Sequence, residues 1–201
     1  MTMHAAPTSS ALVRQKAGFY ADFVLSPGVI AGLLIEAWMA GSQREAHAFG
    51  AAFVAGIVAW TLTEYALHRF VLHATPPFRC WHELHHAAPR QLIGAPVWLS
   101  PLLLVALFAL TYRLGDLILA CGATAGAALG YLVYVSIHYA THHLPGLQWP
   151  WLRRLRRAHA FHHRSPMACN FGVSTAFWDV VFGTASSAPS PLQTDVSERQ
   201  S

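Results

Sequence analysis

The sequence predicts an all-α integral membrane protein, a helical bundle with about four transmembrane helices. Hydrophobic residues make up 54 % of the 201-residue chain and charged residues only 11 %, whereas a soluble domain usually has about 25 % charged residues. Four apolar stretches are each close to the roughly 20 residues that a helix needs to cross a bilayer. They are residues 20–40, 48–67, 95–112 and 117–137.

Before the first apolar stretch, residues 1–17 are polar, and we expect them to be a mobile N-terminus. The first stretch, 20–40, is the weakest, because Pro27 and Glu36 interrupt it. It is therefore predicted to cross the membrane, to be re-entrant or to be only partly inserted. At the other end, residues 185–201 are rich in Ser, Pro and Thr and are predicted to be a disordered tail. Residues 1–184 are then one membrane-embedded domain.

The fourth stretch contains a small residue at every fourth position, Gly122, Gly126 and Gly130. Such a stripe lets a neighbouring helix approach closely, although glycine is also simply tolerated in membrane helices. The connection over residues 113–116 is short. The third and fourth stretches are therefore predicted to form an antiparallel hairpin.

The distribution of lysine and arginine predicts the orientation. With four crossings, both termini and the loop 68–94 share one side of the membrane. The basic residues on that side are Arg14, Lys16, Arg69, Arg79, Arg90, Arg153, Arg154, Arg156, Arg157, Arg164 and Arg199. Only Arg44 and Arg113 lie on the other side. The positive-inside rule places the termini in the cytosol, and the position of the arginines beside apolar segments favours a membrane surface over nucleic acid as the partner.

Eleven of the 13 histidines fall into four short clusters, and only His4 and His47 lie outside them. The clusters are His68 with His73; His82 with His85 and His86; His138 with His142 and His143; and His159 with His162 and His163. All four lie at the predicted cytosolic face, at the ends of apolar stretches or in the loops beside them. The sequence therefore predicts a histidine-rich cap on the bundle.

The spacing within the clusters indicates metal binding. Residues at i, i+3 and i+4 share one face of a helix, so each of the two HxxHH repeats can converge on one point. His138 and His142 share a face, whereas His143 is rotated away from it. His68 and His73 are five residues apart, so we expect the helix to end or bend between them. Imidazole binds Zn, Cu, Fe and Ni, and ten or eleven imidazoles are too many for one ion. Two metal ions are predicted.

Three carboxylates near the clusters are candidates to orient the imidazole ligands. Glu64 lies one helical turn before His68, Glu83 lies within the second cluster, and Asp179 follows Trp178. A carboxylate often binds the second nitrogen of a metal-bound imidazole and fixes its tautomer. For Glu83, a solvated helix face is an equal alternative.

In the order of these motifs, residues 60–184 resemble the fatty acid hydroxylase / sterol desaturase superfamily. The motifs are HX4H, HX2HH, HX3H and HX2HH. Residues 130–139 (Gly-Tyr-Leu-Val-Tyr through His-Tyr) and the ending 171–184 are most similar to its fatty acid 2-hydroxylase branch. The resemblance implies the metal ligands His68, His73, His82, His85, His86, His138, His142, His159, His162 and His163. His143 falls outside the HX3H pattern, so an additional role as a ligand stays open.

The resemblance implies a membrane-bound di-iron oxygenase that uses O2 to hydroxylate the acyl chain of a fatty acid or sphingolipid. Two iron ions are the implied cofactors, and zinc can displace iron at imidazole sites in purified samples. Several relatives have a fused cytochrome b5 domain, which no part of this sequence matches. We therefore expect an external electron carrier, similar to cytochrome b5 or ferredoxin.

Two alternative functions stay open, one with the same chemistry on other substrates and one in a different class of protein. A carotenoid or sterol hydroxylase or desaturase uses the same chemistry, and residues 152–159 are somewhat similar to bacterial carotenoid hydroxylases. A transition-metal transporter or sensor is the non-enzymatic alternative. Transporters place their ligands at the bilayer midplane, whereas these histidines are predicted at one face.

Overall fold

A computed structural model describes residues 9–92, 97–165 and 169–186, and every regular element in these ranges is helical. In chain order the helices are α1 (Ser9–Ala40), α2 (Gln43–Ala66), α3 (Phe78–Ala87), α4 (Leu99–Leu114), α5 (Leu117–His143), α6 (Pro150–Arg164) and the short α7 (Phe177–Val181). Helix α2 continues as a π-helical segment over Leu67–Leu72. The all-α prediction is confirmed.

Within the described residues, three helical segments are long and apolar enough to cross a membrane, whereas the sequence predicted about four. They are Lys16–Ala40, Glu45–Leu72 and Leu117–His143. The predicted stretch 95–112 instead forms α4, which has 16 residues and is shorter than the usual crossing helix of about 20. The first stretch lies in a single helix, because α1 continues through Pro27.

Both predicted chain ends differ in part from the structure. Helix α1 already begins at Ser9, so the predicted mobile segment 1–17 is helical from that residue onward. At the other end, the backbone of Ala185 and Ser186 bonds Asp179 and Asn170. The first two residues of the predicted tail are therefore anchored. The remainder, 187–201, and residues 1–8 lie outside the described residues.

Helix α5 is the centre of the bundle, and α1, α2 and α4 pack against it. Glycine makes the α2–α5 crossing close. A Cβ atom added at Gly126 would overlap the backbone of Phe53, and one added at Gly56 would overlap the backbone of Ala123. The glycine stripe of the sequence thus faces α2. This crossing sets the distance between the ends of α2 and α5, where two of the histidine clusters lie.

Candidate metal centre

The end of α2 brings together two histidines whose spacing does not suit an α-helix. The backbone N–H of His73 donates to the carbonyl of His68 over 3.2 Å, an i→i+5 hydrogen bond of the π-helical type. This wider turn places the two imidazole rings 5.1 Å apart, centre to centre. The bend predicted between these residues is therefore a widening of the helix.

The prediction that each HxxHH repeat converges on one point is wrong, because the two HxxHH helices each divide their histidines between two places. From α3, His82 and His86 point to one place and His85 to another. Helix α6 does the reverse, since His162 joins the first place while His159 and His163 join the second. His68 and His73 complete the first set, and His138 and His142 at the end of α5 complete the second.

The result is two groups of five imidazoles. Group one consists of His68, His73, His82, His86 and His162, and group two consists of His85, His138, His142, His159 and His163. Within each group the candidate ligand nitrogens all lie within 4.8 Å of one another. The ten histidines of the predicted set are thus all brought together, five to a group.

The nitrogen contacts of group one exceed what hydrogen bonding can explain. Its Nε2 atoms make five contacts of 3.0–3.1 Å with one another. His68 and His162 use Nδ1–H to bond carbonyl oxygens, so their neutral rings have no hydrogen at Nε2. The other three rings offer at most one Nε2 hydrogen each. At least two contacts therefore bring nitrogens together without a usable proton between them, which a shared cation resolves.

The distances fit a shared metal ion in both groups. Group two has Nε2–Nε2 contacts of 3.0–3.2 Å, the same range as group one. Two imidazole nitrogens that are each about 2.1 Å from one ion and at right angles to each other lie about 3.0 Å apart. Five nitrogens at this spacing form one coordination sphere, so each group fits one ion.

The protonation state of the histidines also fits metal binding. Burial lowers the pKa of His73 and His86 to about 4 and that of His85 to about 3. The neighbouring imidazoles contribute to the same lowering of the pKa. Because these pKa values lie below neutral pH, the rings are neutral and have a free lone pair, the form that binds a metal.

Backbone carbonyls after α6 orient two rings of group one. Nδ1–H of His68 donates to the carbonyl of Phe171 over 2.5 Å, and Nδ1–H of His162 donates to that of Cys169 over 2.7 Å. The sequence did not predict either carbonyl oxygen, because every residue has a backbone carbonyl and the pattern of side chains does not show which one accepts a hydrogen bond. The resemblance over 171–184 was the one signal that marked this segment.

Two of the three predicted carboxylates act on this same segment and not on an imidazole. The Asp179 carboxylate accepts from the backbone N–H groups of Phe171 and Gly172, each over 2.8 Å. Oε1 of Glu64 accepts from Val173 N–H (2.7 Å) and Ser174 N–H (2.8 Å), and Oε2 accepts from the Ser174 hydroxyl. Among the described residues, these carboxylates therefore orient the carbonyl-bearing loop that in turn orients His68.

Two remaining candidates lie outside both groups. Glu83 is exposed and pairs with Arg79 at 3.3 Å, which matches the solvated-face alternative. The ring of His143 stacks on Tyr139, 4.7 Å away, and joins neither group. His47 also joins neither group, and His4 lies outside the described residues.

An apolar cavity of about 100 Å³ adjoins the two groups. Its wall includes His82, His85 and His138 together with Phe23 and Tyr134. A further cavity shares the Tyr134 side of this wall and continues along α4. Two cavities with mostly apolar walls thus lie beside the imidazoles and share Tyr134 in their walls.

The helical bundle and its paired imidazole groups define a membrane-associated protein with a candidate two-metal centre. The family model of the fatty acid hydroxylases matches residues 53–184, and the chain belongs to this family. The resemblance seen in the sequence is thereby confirmed, including its 2-hydroxylase branch.

Curated relatives support the same branch. The chain is 34 % identical over 158 residues to the ceramide very long chain fatty acid hydroxylase SCS7 of Saccharomyces cerevisiae, covering 70 % of this chain and 39 % of SCS7. It is 34 % identical over 162 residues to human fatty acid 2-hydroxylase, covering 73 % of this chain and 42 % of that protein. The chain thus spans about two fifths of the length of these relatives.

A solved structure has the same fold. It is described as full-length scs7p with only the hydroxylase domain visible. The match has a TM-score of 0.73 and 28 % identity, and it covers 86 % of this chain and 68 % of that chain.

Proposed function

We propose that this protein is an O2-dependent lipid hydroxylase that inserts a hydroxyl group into an acyl chain near its polar end. The observation that supports it most is the pair of five-imidazole groups beside an apolar cavity. The relatives, which are named fatty acid and ceramide hydroxylases, support the same reaction. Carotenoid and sterol substrates are correspondingly disfavoured.

Two iron ions, one in each histidine group, are the proposed cofactors, and they supply the oxidising chemistry when bound. The overall reaction converts one C–H bond to C–OH. It consumes one O2, two electrons and two protons, and releases one water. Zinc is expected to occupy the same sites when iron is scarce. Group one would hold one ion with His68, His73, His82, His86 and His162, and group two would hold the other with His85, His138, His142, His159 and His163.

The protein's own residues position the substrate and keep water away from it. Phe23 and Tyr134 line the cavity beside His82 and His138, so an acyl chain there lies in an apolar environment close to both groups. Excluding water strengthens electrostatic interactions within the site and prevents side reactions. Proximity to the histidine groups then decides which C–H bond reacts.

The depth of the site favours a carbon near the lipid headgroup. His68 lies near the end of the α2 segment, and His142 lies at the end of α5, so both groups lie at one end of the membrane-spanning helices. We propose that this end is cytosolic, with both termini on that side and four crossings in total. Helix α4 begins near His68 and ends beside the start of α5, so it runs along the bundle despite its length.

Lipid analysis tests the reaction. Cells that express the protein should contain acyl chains hydroxylated at carbon 2 or nearby, and cells that express the His142→Ala variant should not. The matched control is His47→Ala, which changes a histidine outside both groups and should keep the product. A terminal hydroxyl, a new double bond or an oxidised carotenoid ring in the wild-type sample would contradict the proposal.

Reporter fusions test the topology. A reporter inserted at Gly115, between α4 and α5, should lie on the opposite side of the membrane from a reporter at the C-terminus. Reporters on the same side would show that α5 does not separate them, and the proposed four crossings would be wrong.

A further inference from the structure

Helix α6 has two chemically opposite faces. His159, His162 and His163 point inward to the two histidine groups. The outward face holds the arginines of the helix that are exposed, namely Arg153, Arg154, Arg157 and Arg164. Residues spaced three or four positions apart share one face of a helix, so the arginines and the histidines lie on opposite faces. The basic surface therefore lies across a single helix from the candidate metal centre. We call these four residues the arginine face.

The arginine face has no acidic partner in the part of the chain that the structure describes. Among the described residues, the ion pair that forms is Arg79–Glu83, and it lies on α3. No carboxylate of the described residues lies within ion-pair distance of the four arginines. Arg164 bonds the neutral carbonyl of Ala160 through Nε, so this contact does not balance its positive charge. A surface with four positive charges that no described carboxylate balances attracts a partner of opposite charge.

The face is held firmly in place. Arg156, the fifth arginine of α6, donates to the carbonyls of Ala140, Leu144 and Leu147. These bonds attach α6 to the end of α5. A partner that binds the arginine face would therefore contact an element whose distance from the histidines is fixed.

Helix α3, the other HxxHH helix, lacks this property. Its outward side shows the Arg79–Glu83 pair, whose charges cancel, together with the exposed apolar residue Leu84. Both helices contribute three histidines to the same centre. Only α6 combines that role with a strongly basic outer surface, so the charge is not a general feature of helices at this site.

We propose that the arginine face is the docking surface for an acidic electron-carrier protein with a one-electron haem or iron–sulfur centre. The proposal rests on the proposed hydroxylase function, because that reaction consumes two electrons per turnover. In each transfer the docked carrier would lose one electron, and a metal ion held by the histidines would accept it. An α-helix with its side chains is about 10–12 Å across, so a carrier at this surface lies one helix diameter from the imidazoles.

The shape of the surface favours a protein over the membrane as the partner. Arg154, Arg157 and Arg164 surround a recess of about 610 Å³ together with Phe161. A recessed basic surface accommodates a protruding acidic loop better than a planar layer of anionic headgroups. Complementary charge also accelerates the encounter of two proteins, which suits a carrier that must bind and leave twice in each turnover.

The test compares the wild type with a triple charge-reversal variant, Arg153→Glu, Arg154→Glu and Arg157→Glu. Iron-loaded protein in nanodiscs of neutral lipid is mixed with a pre-reduced soluble cytochrome b5 domain or an acidic ferredoxin, and oxidation of the carrier is followed by stopped-flow absorbance. The second-order rate constant of the variant should fall at least about 10-fold at low salt. This difference should shrink as salt increases. Arg113→Glu, an exposed change at the far end of α4, is the matched control and should react like the wild type.

Binding of the carrier to metal-free protein gives a readout independent of activity. Its affinity for the triple variant should fall by a similar factor, while iron content and dithionite-driven hydroxylation stay at wild-type levels. Equal carrier rates and affinities for the variant and the wild type would overturn the docking proposal. So would failure of both carriers to reduce a wild-type protein that dithionite does reduce.

Two other outcomes separate this proposal from its alternatives. If the variant loses binding to vesicles rich in phosphatidylserine but keeps the carrier rate, the arginine face binds membrane and the proposal is wrong. If dithionite yields no hydroxylated lipid while the carrier is still oxidised in an arginine-dependent way, the docking surface stands and the proposed hydroxylase function fails.

Discussion

The two histidine groups each contain five imidazole rings, but the groups differ in what orients those rings. In group one, His68 and His162 donate to the carbonyls of Phe171 and Cys169. In group two, Nδ1 of His85, His159 and His163 is buried and bonds no other described residue. Group one is thus oriented by a loop, and group two by the packing of the helices that bear it.

Because of this difference, a change in the loop should affect mainly group one, and a change in the packing of the helices should affect group two. The loop reaches group one through a chain of hydrogen bonds that begins at the Asp179 and Glu64 carboxylates. Group two instead depends on α3, α5 and α6 meeting at the right distance. The predictions that follow test this separation, beginning with the largest effect.

Removing one ligand from a group should empty mainly that group. His73→Ala changes a half-buried histidine of group one, and His142→Ala changes a half-buried histidine of group two. Each should lower the iron content from two ions per chain toward one, because a lost ligand weakens its own coordination sphere. Elemental analysis of purified protein measures this. Complete loss of metal from either variant would show that the groups depend on each other.

Removing the support of the loop should weaken group one selectively. Asp179→Asn retains the size of the side chain but places an amide where the carboxylate accepts from Phe171 and Gly172 N–H. Changes that disturb the partners of metal ligands typically cost 10–100-fold in metal affinity, and we expect a loss of about that size for one of the two ions. Competition with a chelator measures it.

The matched control for this change is Glu83→Gln, which alters an exposed carboxylate that touches no imidazole. It should leave both affinities unchanged. Equal weakening of both ions in Asp179→Asn would contradict the idea that the loop serves group one.

Disturbing the α2–α5 crossing should affect both groups together. Gly126→Ala would push a Cβ atom into the backbone of α2 at Phe53, and such overpacking typically costs about 1–3 kcal/mol. Thermal unfolding in detergent should show the loss. Gly28→Ala, in α1, meets open space and should unfold like the wild type. A normal Gly126→Ala protein would mean that the helices can separate without cost.

The smallest effect is expected for His143→Ala. This ring stacks on Tyr139 and belongs to neither group, so the variant should lose only an aromatic contact worth about 0.5–1.5 kcal/mol. Its iron content should equal that of the wild type. A loss of one ion would assign His143 to the coordination sphere and change the composition of group two.

The sequence by itself determined the helical class, the apolar stretches and the ten histidines, because each depends on local composition and spacing. Four-residue periodicity predicted which residues of α3 and α6 share a face, and the ordered motifs indicated the family. The length of the helix in the third apolar stretch was less predictable. Its hydropathy resembles that of the others, yet the described helix, α4, has only 16 residues.

Only the tertiary structure decided how the histidines divide into two groups and what holds them. Each HxxHH helix sends its three rings to two different places, because the division depends on where α2 and α5 end relative to α3 and α6. The carbonyl oxygens of Cys169 and Phe171 are likewise invisible in sequence, since every residue has one. Their role comes from a loop that the carboxylates of Glu64 and Asp179 hold against the bundle. The contact of Glu64 with Val173 joins residues more than 100 positions apart in the chain, and such a contact leaves no local pattern.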